Sequence, residues 1–205
     1  MNALIKNKLL SLTFAFLGLF SFSSLAEEVS PYLVLKNTGD KLFTRIANNQ
    51  QELEKFPELM RDIVNEELMP NVDYKYAAYM ILGKNLKNTT KEQRAKFVES
   101  MRHYLVRTYA TALSNYENQQ VTYEHDKPTK GKKIVMADAV ISAPDQPDIT
   151  ITFKMRQNKK TKEWKAYDMV VEGVSLLNTK KAELSRRIAK QGVEQVTIEL
   201  ASLSK

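Results

Sequence analysis

No cysteine occurs in the 205-residue sequence. A lipoprotein anchor needs a cysteine just after its cleavage site, so that route to a membrane is closed. Disulfide staples are excluded too, although an exported chain could have used them. The fold must therefore stand on its apolar core. Histidine is nearly as scarce, with His103 and His125 the only two. A zinc site without thiolates and with two separated imidazoles would have to lean on carboxylates, against zinc's usual ligand choice. The nucleophile elbow G-x-S-x-G, the zinc helix H-E-x-x-H and the Walker phosphate loop are all missing. Ser202 and Lys205 formally satisfy S-x-x-K, but at a C-terminus, where chains fray. Asn88, Thr89 and Thr90 formally make a glycosylation triplet, yet their hydroxyls read better as helix caps. No catalytic residue and no metal ligand is assigned. Internal repeats and long linkers are absent as well.

Long apolar runs are limited to one, Leu9 to Phe22, and it sits at the start. Lys6 and Lys8 precede it, and Ser24-Leu25-Ala26 follows with small side chains where a signal peptidase reads. The run is shorter than the roughly 20 residues a spanning helix needs. Residues 1–26 are therefore expected to be a cleaved signal peptide and the remainder a soluble exported protein, periplasmic in type. Residues 27–205 suit one domain. The net charge is +7, and the two lysines of the leader carry two of these, leaving +5 for residues 27–205. A basic surface favours acidic partners. Export argues against nucleic acid, which leaves lipid surfaces and acidic proteins.

The apolar periodicity divides the chain into a mainly helical part (27–116), a mainly stranded part (117–173) and C-terminal helices (174–205). Ser30 and Pro31 read as N-cap and first residue of a helix carrying Tyr32, Leu35, Leu42, Phe43 and Ile46, with Gly39 a weak point. A second helix is expected from Pro57 to Pro70 and a third from Asp73 to Leu82. Thr90 and Gln93 have capping-box spacing. Behind them Phe97, Met101, Tyr104, Leu105, Thr108, Tyr109, Ala112, Leu113 and Tyr116 fall on one helical face. The period then changes to two. Val121 and Tyr123, Ile134 to Ser142, Ile149 to Met155, and Trp164 to Glu172 read as strands. Helices followed by sequential strands argue for α+β: a curved antiparallel sheet of about four strands wrapped by helices. Two C-terminal helices are expected, Thr179 to Lys190 and Val193 to Leu203, separated by Gly192.

The face of the long helix bearing Met101, Leu105 and Tyr109 is expected to meet the sheet face bearing Ile149, Ile151, Phe153 and Trp164. Methionine adapts to irregular apolar shapes. These residues are consistent with a greasy cavity and equally with a solid core, and stripes of this kind are mostly core. Asp138 and Asp168 interrupt apolar strands; each is expected to face solvent or to accept hydrogen bonds rather than to work as an acid or base. Lysines crowd two loops, 127–133 and 159–162, and Lys180, Lys181, Arg186 and Arg187 mark the following helix. Such runs are either solvated faces or docking surfaces for acidic partners and headgroups.

Three blocks carry a family resemblance: Ile63 to Asp73 (IVNEELMPNVD), Thr90 to Phe97 (TKEQRAKF) after Leu82-Gly83, and Trp164 to Ser175 (WKAYDMVVEGVS). In order and spacing they resemble the MlaC family of periplasmic phospholipid-binding proteins, the toluene-tolerance family. The resemblance covers essentially all of residues 27–205. It departs at Asn178 to Lys181, where many members carry a tyrosine and an arginine. It implies an NTF2-like fold enclosing an apolar pocket that holds phospholipid tails, with the headgroup outside. By position it implies Val174 as the foremost lipid contact; Tyr109, Leu105, Met101, Ile151, Phe153 and Trp164 follow as candidates from the helix and strand faces above. It implies phospholipid as cargo and no cofactor. The implied partners are an outer-membrane lipoprotein–porin complex and the MCE-domain subunit of an inner-membrane ABC transporter, served by a monomer. Two other readings stay open: an NTF2-like lipid-modifying enzyme, using Asp138 or Asp168 with His103, and a solid-cored periplasmic adaptor.

Overall fold

The computed structural model describes residues 29–117 and 119–203. The expected signal peptide lies outside the described residues. Six α-helices and five strands are assigned within them: α1 Pro31–Asn48, α2 Gln50–Lys55, α3 Leu59–Ile63, α4 Tyr74–Leu82, α5 Lys91–Leu113, β1 Gln120–Tyr123, β2 Ile134–Ser142, β3 Ile149–Gln157, β4 Trp164–Val171, β5 Val174–Ser175 and α6 Leu176–Ser202. The strands form one antiparallel meander in the order β1-β2-β3-β4-β5. No described helix is long and apolar enough to cross a membrane.

Local chemistry accounts for the helix starts. The Ser30 side chain accepts from the Leu33 amide, with Pro31 as the first residue of α1. Thr90 and Gln93 close a reciprocal capping box on α5, as their spacing requires. The second expected helix comes out differently. α3 passes into a π-helical turn, Val64–Leu68, and then a 3-10 turn, Met69–Asn71. Pro70 lies inside that 3-10 turn, so the chain bends before it stops. The bend delivers Val72 to a bridge with Ala166, and the Asp73 amide donates to the Ala166 carbonyl at 2.7 Å. Asp73 also caps α4 through the Tyr76 amide and pairs with Arg156, whose guanidinium lies 4.2 Å from the Tyr76 ring centroid. This joint ties the helical layer to the sheet.

Two features of the sheet were not anticipated. A bulge at Tyr167 shifts the β3–β4 register between Lys154 and Met155, so Ala166 pairs with Met155 but Met169 pairs with Phe153. The short fifth strand follows a two-residue turn, with Glu172 at φ 48° and Gly173 at φ 78°. Positive φ at both central positions is what a type I′ hairpin demands, and glycine meets it without steric cost. Ser175 then caps α6 at once, so that helix begins at Leu176, three residues before the expected start. The α6 segment kinks at Gly192, φ 83° and ψ 161°, which divides it into two helical parts, as expected.

The apolar interior is three clusters. One joins α4, α5 and α6 through Ala78, Leu82, Phe97, Leu184 and Val196. The second joins the end of α1 to α3, the π turn and α5 through Ile46, Met60, Val64 and Ala110. The third joins the start of α1 to the sheet through Tyr32, Leu35, Val135, Ala137, Met155 and Trp164. α5 packs on α3, α4 and α6 but scarcely touches the sheet. The expected meeting of its apolar face with the strands is thus replaced by a gap between the clusters.

Candidate functional site

That gap is a cavity of about 610 Å³. α1 supplies its back wall with Leu35, Thr38, Gly39 and Leu42; α5 supplies one side with Met101, Leu105 and Tyr109; the sheet supplies the other with Ala139, Ile151, Phe153, Met155 and Met169. The spacing of the α1 residues is helical, and its middle is small. A side chain at Gly39 would overlap the Tyr123 hydroxyl, so glycine is required for β1 to approach the helix so closely. The lining residues that are exposed mark the mouth: Thr108 and Ala112 on α5 and Asn115 just after it, Gln146 and Pro147 between β2 and β3 with Ile149 at the start of β3, and Leu176 and Thr179 at the start of α6.

Of the seven residues expected to contact lipid, five come together here. Tyr109, Leu105, Met101, Ile151 and Phe153 all line the cavity. Trp164 does not. It is 3% exposed in the solid cluster under α1. Val174 does not either. It is 55% exposed on β5, outside the wall. Its place in a distinctive sequence block comes from the tight turn before it and the helix cap after it. Sequence reasoning missed the α1 wall, Tyr104, Leu177 and Lys180. The α1 signal was present as apolar residues flanking the small pair Thr38-Gly39.

Most of the wall is uncharged. Among the described residues lining the cavity, Asp168 and Lys180 carry the charges. Asp168 is 6% exposed and fully engaged: it accepts from Lys154 Nζ at 2.9 Å, Ser175 Oγ at 2.7 Å and the Leu177 amide at 3.0 Å. It therefore pins the start of α6 to β4, and its charge is balanced by Lys154. Burial first, and the nearby Asp168 charge second, push the Tyr109 hydroxyl up to about 12. Burial likewise raises the Tyr123 hydroxyl, helped by Asp40. That hydroxyl is buried with no hydrogen-bond partner among the described residues.

The residues named for an enzyme do not converge. His103 is exposed on α5, with Nε2 3.0 Å from Glu99. His125 is exposed beyond β1. Asp138 alternates with the inward-facing Ala137 and Ala139 on β2, and its amide donates to Glu124. Asp168 is held as described. Among the described residues, no group of three His, Cys, Asp or Glu side chains could hold a metal ion.

Comparison with known proteins places this geometry in a family. Residues 36–202 match the family model described as MlaC protein. The intermembrane phospholipid transport system binding protein MlaC of Haemophilus influenzae is 34% identical over 184 residues, covering 89% of this chain and 86% of that protein. A toluene tolerance protein of Pseudomonas putida is 24% identical over 148 residues, 72% of this chain and 67% of that protein. The phospholipid-binding protein from Ralstonia solanacearum, solved in complex with a phospholipid, superposes with a TM-score of 0.76 at 21% identity. The match covers 86% of this chain and 97% of that one, so the two share a fold.

Proposed function

This chain belongs to the MlaC family, and from that premise we propose how its cavity serves intermembrane phospholipid transport. The chain is a phospholipid carrier, and the cavity between α1, α5 and the sheet shields the acyl tails of its cargo. The observation that carries this reading is the wall itself: about 610 Å³ bounded mostly by aliphatic and aromatic side chains and open to solvent. Each methylene withdrawn from water contributes about 0.8 kcal/mol. Two acyl chains cannot cross an aqueous gap at a useful rate unless something covers them. An apolar slot without directional contacts suits tails of varied length.

The same arithmetic makes release into water slow. Handover then requires docking to a membrane-bound partner that opens the mouth or offers a better site. The family supports an outer-membrane lipoprotein–porin complex on one side and the MCE-domain subunit of an inner-membrane ABC transporter on the other. It supports a periplasmic setting, with residues 1–26 as the export signal. The phospholipid is cargo, there is no resident cofactor, and one chain holds one cavity as a monomer. The separation of His103, Asp138 and Asp168 favours a carrier over a lipid-modifying enzyme.

A transfer assay tests the reading. Residues 27–205 are incubated with vesicles of phosphatidylethanolamine and phosphatidylglycerol, separated by gel filtration and extracted. Intact phospholipid should elute with the protein, unmodified in chain or headgroup. Lipid cleaved or altered in the protein fraction would support the enzyme, and protein with no lipid would support the adaptor.

A further inference from the structure

Lys180 stands out among the cavity residues. The Asp168 carboxylate is satisfied by three donors, so Lys180 is the charge of the wall whose partner, Glu183, lies outside the lining. It lies on the first turns of α6, next to the exposed rim residues Leu176 and Thr179 and above the buried Leu177. Its side chain is 27% exposed, and its amine sits 4.9 Å from the Tyr104 ring centroid across the mouth. The aliphatic stem thus covers wall while the ammonium reaches the rim. Burial of the amine works against its charge, but hydrogen bonding to Glu183 and Tyr104 outweighs that and raises its pKa.

Glu183 pairs with this amine but has a second cation beside it. Lys180 Nζ lies 2.7 Å from Glu183, but Arg187 lies 3.1 Å from the same carboxylate. Lys180 can turn towards the mouth and leave Glu183 paired. A lysine ammonium is a compact point charge that suits phosphate oxygens.

Resting on the carrier reading, we propose that Lys180, with Tyr104 and Thr179 beside it, is an anchor at the cavity mouth for the phosphodiester of the bound lipid. The tails fill the apolar wall beneath it. The anchor reads the phosphate common to glycerophospholipids and leaves the variable alcohol in solvent. The carrier then selects phospholipid over equally greasy neutral lipids, which the apolar wall alone cannot do.

The test uses vesicles containing dioleoylphosphatidylglycerol and dioleoylglycerol in equal amounts, and reads the ratio of the two lipids bound to residues 27–205 by mass spectrometry. Wild-type protein should enrich the phospholipid, and Lys180→Gln should lower that enrichment about tenfold, the size of one hydrogen bond to a charged group. The thermal midpoint should change little, and Lys180→Arg should keep the preference. An unchanged ratio in Lys180→Gln overturns the anchor and leaves the carrier intact. Uptake of neither lipid by the wild type overturns both. Displacement of phosphatidylglycerol by millimolar inorganic phosphate assigns the site to free phosphate and overturns the headgroup anchor, while retention supports it.

Discussion

Ile151 separates cavity from core. It sits near the start of β3, between Ala139 and Val171 in register, and lines the cavity without joining any of the three packed clusters. Ile151→Asn removes aliphatic surface worth about 1.5 kcal/mol, at about 0.8 kcal/mol per methylene. It also sets an amide against acyl chain, at a further cost of about 1–3 kcal/mol. The sum, near 3 kcal/mol, is about two decades in affinity at 1.4 kcal/mol per decade. Folding should suffer far less, by about 1 kcal/mol, the span of strand propensity at a half-buried position. Leu184→Ala is the opposite perturbation. Leu184 is fully buried between α4, α5 and α6 and away from the cavity. It should lose about 2–5 kcal/mol of stability and keep wild-type affinity in the folded fraction. The assay pairs urea unfolding with retention of a labelled phospholipid against acceptor vesicles. Full retention by Ile151→Asn, or a stability loss equal to that of Leu184→Ala, would refute a cavity that binds tails apart from the core.

Further perturbations test the frame. Gly39→Ala should destabilise by about 1–3 kcal/mol through overpacking against Tyr123, whereas Tyr123→Phe should be neutral or stabilising in a urea melt, because the lost hydroxyl has no partner among the described residues. Asp168→Ala leaves Lys154 unpaired and frees the Leu177 amide; we expect a loss of about 3 kcal/mol, the low end for a broken buried pair since Lys154 reaches solvent, with faster hydrogen exchange at Leu177. Tyr109 ionises near 10 when unfolded and at about 12 when folded. Its contribution to stability is therefore whole below pH 10 and lost as pH rises through 12, and Tyr109→Phe should flatten that alkaline decline in denaturant midpoint.

The elements with strong local signals were legible. Thr90 and Gln93 announce α5, and the alternation from Ile149 to Met155 announces β3, because caps and periodicity are local properties. The cavity was not legible from periodicity. An apolar stripe reads the same whether it packs on a sheet or faces it across a gap, and α5 stands off because α3, α4 and α6 hold it. The family resemblance supplied the pocket that periodicity could not. Trp164 shows how position along a strand decides the rest. By register it shares a sheet face with Met155 and Phe153, but it starts β4 and packs against the beginning of α1, whereas Met169, brought onto that face by the Tyr167 bulge, lines the cavity. Val174 was prominent because a type I′ turn and a helix cap both fall around it, which fixes backbone and leaves its side chain outside.

Native mass spectrometry of residues 27–205, purified from a Gram-negative host without detergent, tests the central claim most directly. The carrier account predicts a mass increment equal to one intact phospholipid, present in the wild type and depleted in Ile151→Asn while both remain folded. A protein that is lipid-free as isolated, and stays so after incubation with phospholipid vesicles, would contradict it.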